Sequence, residues 1–392
     1  MPGPLAGLRV VDLTQVLAGP FCTMLLADMD ADVIKVEPPH GDVARQWGPH
    51  LDPPGAYGGY FASVNRNKRG VVADLSTTAG RDLLLRLLDT ADVLVENFRV
   101  GVMDRFGLSW EVLHERCPGL VYASIRGFGD PRTGASPHAE RPAFDIIAQA
   151  MGGVMGVTGE DAAHPMKVGP GVGDIFPAAL AAVGILAAVR EAEASGVGRY
   201  VDVALYDAVL ALSERIVHQY SITGSSPVPQ GNSHPLLCPY GVVRTATGAV
   251  AIAAPSDRHW AALARIAGRP ELGSDPRFAT NAARLARTVE VYGIVEGWSR
   301  QRSSAEVVRA LADHVPCGPV HSAADIVADP HIAARNMVLP VEHPSGGAVQ
   351  VVGRAVKFSG EDAGPLRPAP LLGEHTALVV AELGSGRRTV PP

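Results

Sequence analysis

Short β-branched runs alternate with amphipathic stretches through the first 220 residues of this 392-residue chain, and that rhythm constrains the fold more than any other feature. LRVVDL (8–13), VIKVE (33–37), GVVADL (70–75), DVLVEN (92–97) and LVYASI (120–125) read as strands. Helical spacing lies between them, near 20–28 and through the leucines at 83, 84, 85, 87 and 88. Strands that alternate with helices pair in parallel, and right-handed crossovers lay the helices over both faces. The expected class is α/β. Ligands on such a sheet sit where strands run out into loops at their C-terminal ends, here the loops 14–20, 38–48, 97–105 and 126–145.

Further along, the pattern predicts a long helix from Asp174 to about Ala194, a strand over 200–204 and a helix to about Tyr220. SITGSSPVPQGNSHPLLCPYG (221–241) is dense in Gly, Pro, Ser and Asn and reads as a linker after a large domain over 1–220. Residues 242–329 change character, with a hairpin at Thr247-Gly248 followed by helices, and read as a smaller α+β domain. Residues 335–360 look extended around a turn at 344–347, a final helix fits 373–384, and the tail 386–392 reads as disordered.

Several function classes are disfavoured. A net charge of −6 argues against a surface built to bind nucleic acid. The four cysteines, Cys22, Cys117, Cys238 and Cys317, stand far apart with no CxxC spacing, so neither a disulfide framework nor a metal site is expected. The first residues, MPGPLAGLRVVDL, lack the basic and apolar regions of a signal peptide. The longest apolar run, Ile175 to Val189, contains Pro177 and Gly184 and falls short of the ~20 residues that span a bilayer. A cytoplasmic protein is the expectation. The sheet is Rossmann-like in outline, and Glu37 ends the second strand where a ribose-binding acid sits in dinucleotide enzymes. The first loop, Gln15-Val16-Leu17-Ala18-Gly19-Pro20, has no GxGxxG, however, which disfavours a nicotinamide or flavin enzyme.

VGPGVGDIFPAALAAVGILAAVREAE (168–193) carries the most chemistry. Glycines at 169, 171 and 173 lead into Asp174 and an apolar helix. One reading makes Asp174 the helix N-cap. The other makes it a carboxylate kept ionised by the helix terminus, presented at a glycine-lined surface as a nucleophile toward an activated acyl group. Spacing alone does not choose. Basic residues gather in NRNKR (Arg66, Lys68, Arg69) and ENFRVGVMDR (Arg99, Arg105), either as phosphate contacts or as ordinary ion pairs.

VVDLTQVLAGPFCTMLLADMDADVIKVEPPHGD, NRNKRGVVADL, VENFRVGVMDRFGL, PAFDIIAQAMGG, GVGDIFPAALAAVGILAA and GRYVDVALYDAVL, followed by DPRFATNAAR, PCGPVHSAADIVADPHIAARNM and LGEHT, resemble the class III CoA-transferases, the group of formyl-CoA transferase and the carnitine-linked enzymes. The resemblance runs from about residue 5 to 385. It implies a large CoA-binding domain, a small domain, a return to the large domain over 330–385, and an interlocked homodimer. It implies acyl-CoA and a carboxylic acid as substrates, Asp174 as the nucleophile that passes through an aspartyl anhydride and an aspartyl-CoA thioester, flanking glycine N–H groups to hold the oxyanion, and no permanent cofactor. Asp145 matches an acidic active-site position. Ala18, Ala73, Asn97, Phe98 and Arg105 match CoA-binding positions.

The chain departs from formyl-CoA transferase at Pro38 and Ser76, where that enzyme has basic residues that Arg45 or Lys68 would have to replace. Leu17 stands in place of a polar glutamine, which argues against oxalate as acceptor. His234 falls near the family's glycine loop and reads as structural or substrate-shaping. The related α-methylacyl-CoA racemases carry a histidine before the acid matching Asp145. Here Phe144 stands there and carries no proton, which favours transfer over racemisation. A non-catalytic acyl-CoA-binding protein is the remaining alternative.

Overall fold

The computed structural model describes residues 3–51, 56–344, 346–360 and 366–385, so the expected tail at 386–392 and Ser345 of the expected turn lie outside the described residues. The chain forms two compact units. One comprises Met1–Met155, Lys167–Gly224 and Ala334–Pro392, the other Gly156–Met166 and Ser225–Ala333.

The first unit opens with β1 (Arg9–Asp12), α1 (Ala18–Ala27), β2 (Asp32–Glu37), α2 (Gly59–Asn65), β3 (Arg69–Val72), α3 (Thr78–Leu88), β4 (Val93–Glu96), α4 (Val102–Arg105), α5 (Trp110–Arg116) and β5 (Val121–Arg126). It continues through α6 (Asp145–Met151), α7 (Val172–Ser195), β6 (Tyr200–Ala204), α8 (Leu205–Leu212) and α9 (Ile216–Thr223). The six strands form one sheet in the order β3-β2-β1-β4-β5-β6, and all five pairings are parallel.

Side chains on a strand alternate between faces, and the two cores of this unit divide accordingly. Val10, Val33, Val93, Val95, Val121 and Ala123 face a core shared with Leu26 of α1 and Ala178, Ala181 and Ile185 of α7. Val11, Ile34, Leu94 and Tyr122 face the opposite way, toward Leu84 and Leu87 of α3 and Leu113 of α5. With both faces covered, β1, β4 and β5 are buried along their whole length, which is why they read as near-continuous apolar runs.

The strand order reverses between β1 and β4. Chain leaving β1 goes toward β2, and chain leaving β4 goes toward β5, so a crevice opens between their loops.

At 24 residues, α7 is long and apolar enough to cross a bilayer. Half of its apolar window is instead buried, packed on α1, α6, α8, β5 and β6. Leu180 and Val183 of α7 and Val217, Tyr220 and Ile222 of α9 remain exposed.

The second unit holds the hairpin β7 (Tyr240–Thr245) and β8 (Gly248–Ala253), then α10 (Asp257–Ile266), α11 (Asn281–Leu285), α12 (Thr288–Ser299), α13 (Ser304–Leu311) and β9 (Cys317–Pro319), which pairs with β8. Trp260, Leu263, Val291, Val295, Val307 and Leu311 form its core. Ser256, Thr280 and Ser303 cap α10, α11 and α13 with their hydroxyls. The sequence reading places 156–166 with the large domain. In the structure this segment groups with the second unit, where Gly231 donates to the Gly159 carbonyl at 2.8 Å and Gly159 bridges Pro165. His234 also lies here, its Nδ1 accepting from the Leu236 N–H at 3.1 Å.

Two short helices, α14 (Ala323–Ala328) and α15 (Pro330–Ala334), precede the hairpin β10 (Val338–Glu342) and β11 (Ala348–Val352). The last helix, α16 (Thr376–Ser385), packs on β3 and α3 in the first unit.

Candidate active site

A cleft of about 440 Å³ occupies the crevice between the β1 and β4 loops. Gln15, Val16, Leu17 and Ala18 line it after β1, Asn97, Phe98, Arg99, Val100 and Val102 after β4, and Ile125, Arg126 and Gly127 at the end of β5. Residues 139 and 141–144, with Leu205 and Val43, complete the wall, and Asp174 of α7 reaches into it.

Asp174 is not the helix N-cap. The helix starts at Val172 with Gly171 as cap, so Asp174 is its third residue. Its side chain is only 7% exposed. Burial first, and the charge of Asp145 second, push its carboxyl up from an ordinary 3.8 to about 7. The expectation was of a carboxyl kept ionised by the helix terminus; loss of water and a like charge raise it instead. Of the glycine N–H groups expected to hold an oxyanion, that of Gly173 is already engaged, as are those of Asp174 and Ile175. Gly173 donates to Asp145 Oδ1 at 2.7 Å, and Asp174 and Ile175 both donate to the Gly171 carbonyl.

Asp145 is the first residue of α6, and through Gly173 it caps α7 rather than its own helix. Gly173 is needed for that approach: a Cβ there would lie 2.5 Å from the Asp145 carbonyl oxygen. Leu17 packs on the same entrance, its Cδ2 3.0 Å from where a Cβ on Gly171 would be. Tyr60 of α2 feels this site as well. Its hydroxyl is pushed up by burial and then by the charges of Asp174, Asp145 and Asp42.

The β1 loop is held in a strained shape. Val16 has φ +68°, a left-handed backbone that a β-branched residue adopts at a cost of about 1–3 kcal/mol. Asn97 clamps one side, accepting from the Gln15 N–H at 2.9 Å and donating to the Gln15 carbonyl at 2.8 Å. On the other side, the Val16 N–H donates to the buried Asp42 carboxylate at 3.1 Å, which also receives Lys35 Nζ at 3.3 Å. Arg126 supports the β4 loop from below, donating to Glu96 at 2.6 Å and to the Phe98 carbonyl at 3.1 Å, while Phe98 N–H donates to Glu96 at 2.7 Å.

The structure thus brings Ala18, Asn97, Phe98 and Asp174 together along the cleft, with Asp145 behind its floor. Ala73 is buried in the core under β3, and Arg105 is exposed at the end of α4; neither is among the lining residues. Arg99 and Arg141 line the cleft, are exposed, and have no ion-pair partner among the described residues. Arg141 was missed because only PAFD beside it carried a motif.

The NRNKR cluster is not a phosphate site. Arg66 pairs with Asp28 at 2.6 Å, Lys68 with Asp12 at 3.0 Å, and Arg69 with Asp32 and Glu382 at 2.7 and 2.8 Å, and all three basic side chains are buried. Lys68 and Arg45 cannot stand in for the basic residues missing at Pro38 and Ser76. Lys68 Nζ is enclosed by Asp12, Asn65 and the Pro20 carbonyl, and Arg45 is bound to Glu37 and the Pro370 carbonyl. That pairing also occupies Glu37. Among the described residues, no group of three or more His, Cys, Asp or Glu is placed to share a metal ion.

A parallel α/β sheet with a buried carboxyl presented at its switch point defines a class of enzyme, and comparison with known proteins supplies the family. Residues 5–376 match CoA-transferase family III, and the chain belongs to that family. It is 48% identical over 390 residues to a succinyl-CoA:mesaconate CoA-transferase from Haloarcula hispanica, covering 99% of this chain and 98% of that protein. It is 40% identical to a succinate–glutarate CoA-transferase from Agrobacterium fabrum, over 99% of this chain and 98% of that one. A crystal structure of a CAIB/BAIF family protein from Brucella suis superposes with a TM-score of 0.87 at 37% identity, covering 98% of this chain and 100% of the other. The chain is a family III CoA-transferase.

Proposed function

We propose that this enzyme moves CoA between small dicarboxylic acids, with succinyl-CoA as donor, through covalent intermediates on Asp174. One observation carries the reading: the Asp174 carboxyl is buried at a cleft formed by the β1 and β4 loops, beside a second carboxylate. The substrates named for the relatives above support this substrate class.

In the proposed sequence, an Asp174 oxygen attacks the donor's thioester carbon and the CoA thiolate leaves, giving an acyl–aspartyl anhydride. The thiolate then attacks the Asp174 carbonyl carbon and releases the donor acid as its carboxylate, leaving Asp174 as a CoA thioester. The acceptor carboxylate displaces CoA to form a second anhydride. The thiolate attacks the acceptor's carbonyl in turn, forming the new acyl-CoA and restoring the Asp174 carboxylate. No proton is consumed overall, and none of these steps calls on a metal or redox group.

In this reading the Rossmann-like half carries CoA with its pantetheine arm along Ala18, Asn97 and Phe98. Arg99 and Arg141 face the phosphates, and Arg105 is met where the nucleotide runs past the cleft. Leu17, in contact with the loop of Asp174, gives the acyl site an apolar wall that suits a carbon chain better than oxalate. Phe144 lines the cleft where a racemase would need a second proton carrier. The exposed apolar side chains of α7 and α9 fit burial against a second copy of the chain.

Succinyl-CoA mixed with the enzyme and hydroxylamine is expected to convert Asp174 to a hydroxamate, read by peptide mass spectrometry. A panel of acceptor acids then identifies the second substrate. Turnover with Asp174 unmodified would overturn the covalent reading, and exchange of an α-proton with no acceptor present would return the racemase.

A further inference from the structure

Gln149 lies on α6, one turn after Asp145, and is wholly buried. Its Nε2 donates to both oxygens of the Asp145 carboxylate, at 2.9 and 3.0 Å. Its Oε1 accepts the backbone N–H of Val168 at 2.9 Å, at the start of the glycine-rich run that leads to Asp174. Only one orientation of the amide is possible, because an ionised carboxylate cannot donate and a backbone N–H cannot accept. A side chain that donates at one end and accepts at the other is required: leucine satisfies neither neighbour, and lysine donates to Asp145 but cannot accept from Val168.

We propose that Gln149 is a positioning residue: its buried amide fixes the Asp145 carboxylate against the first turn of α7 and ties the 168–171 segment to α6, and so sets the charge that Asp174 meets. The inference rests on Asp174 being the nucleophile, as proposed above. Three hydrogen bonds converge on the Asp145 carboxylate, two from Gln149 Nε2 and one from the Gly173 N–H, and hold it in place beside Asp174. A fixed negative charge beside Asp174 disfavours the Asp174 carboxylate relative to any neutral derivative. An anhydride or thioester at Asp174 carries no charge on that side chain, so each covalent step relieves the repulsion. The other groups facing this site are Tyr60 of α2, with Asp42 beyond it, and the cleft arginines Arg99, Arg126 and Arg141. They lie on other elements and are unchanged by substitution at 149.

The test uses the full-length enzyme and two variants. In Gln149→Leu both hydrogen bonds to Asp145 are lost, its carboxylate is free to swing away from Asp174, and the acid limb of the kcat–pH profile moves to lower pH. In the isosteric Gln149→Glu, a third carboxyl ionises as pH rises and the limb moves to higher pH. The ratio of kcat at about pH 6 to kcat at about pH 8 should rise several-fold in the first variant and fall several-fold in the second. KM for the acyl-CoA should stay within about threefold in both, because binding draws on the β1 and β4 loops. A purely structural role would lower the melting temperature and leave both limbs in place. Limbs that do not move, with wild-type Asp174 still trapped by hydroxylamine, would overturn this inference alone. An untrapped wild-type Asp174 would overturn the covalent reading and this inference with it.

Discussion

The Asp145 carboxylate accepts the Gly173 N–H at 2.7 Å, one residue ahead of Asp174. An acidic side chain from α6 thus takes the N-terminal cap of α7. The positive end of the helix, which would otherwise steady an anion at Asp174, is already complemented by Asp145. What remains for Asp174 is burial and a like charge, and both raise its carboxyl. Ionising this side chain is costly in the resting enzyme, and converting it to an uncharged acyl derivative is correspondingly favoured.

Two pH effects should follow from Asp174. As the proposed nucleophile it must be ionised, so kcat should rise with pH through about 7. Stability should run the other way. A carboxyl raised in the folded state contributes stability in full below its unfolded value of 3.8, and loses it as pH rises toward about 7. Asp174→Asn carries no charge at any pH. Its gain in stability over the wild type should be smallest near pH 4, grow by at most about 1.4 kcal/mol per pH unit, and level off above pH 7. Melting temperatures at four pH values check this, and the variant should be inactive in transfer. A gain that does not change with pH would show that Asp174 is ionised throughout.

Gly173→Ala tests the close approach to Asp145. Helix propensity alone favours alanine by about 1 kcal/mol. A Cβ here would lie 2.5 Å from the Asp145 carbonyl oxygen, which is backbone and cannot swing aside. The variant is expected to lose about 1–3 kcal/mol by chemical denaturation, and transfer should fall by at least tenfold as α6 and α7 separate. A more stable Gly173→Ala would show that the two helices part easily.

The alternation of Val10, Val11, Val33 and Ile34 between two cores made the sheet legible, because period-2 patterning is local to each strand. The start of α7 was legible to within two residues. Asp174 looked like a cap because it is the first polar side chain before the apolar run, whereas the capping acceptor comes from Asp145, 28 residues before the Gly173 N–H it binds. The same distance problem hid the NRNKR cluster. Its partners Asp12, Asp28 and Glu382 lie from 38 to 313 residues away, so spacing alone left it open between phosphate ligand and ion pair. Asn97 was identified at the cleft, but its grip on both sides of Gln15 depends on β1 and β4 being neighbours, which only the strand order reveals.

Lys68→Met separates a structural lysine from a phosphate ligand. Removing the ammonium leaves Asp12 Oδ2, Asn65 Oδ1 and the Pro20 carbonyl without their shared donor in a buried site. Breaking one side of a buried pair costs about 3–5 kcal/mol. Unfolding in urea should show a loss of that size, while KM for the acyl-CoA in the folded fraction stays within about twofold. A large rise in KM with stability intact would place Lys68 on the substrate instead.

The cleft arginines should outweigh Arg105. Arg99 and Arg141 line the cleft with their charges uncommitted among the described residues, and a guanidinium gains most from a phosphate when no carboxylate already holds it. Arg99→Ala and Arg141→Ala are each expected to raise KM for the acyl-CoA about tenfold with kcat nearly unchanged, the pattern of an interaction made equally in the ground and transition states. The effect should shrink as salt is added, because exposed charge pairs are screened. Arg105→Ala, on a side chain beyond the cleft, should raise KM less than either. Titration of a non-hydrolysable CoA thioether against the three variants measures binding directly. If Arg105→Ala weakens it most, the nucleotide leaves the cleft along α4, and the two cleft arginines serve the carboxylates of the dicarboxylic substrates instead.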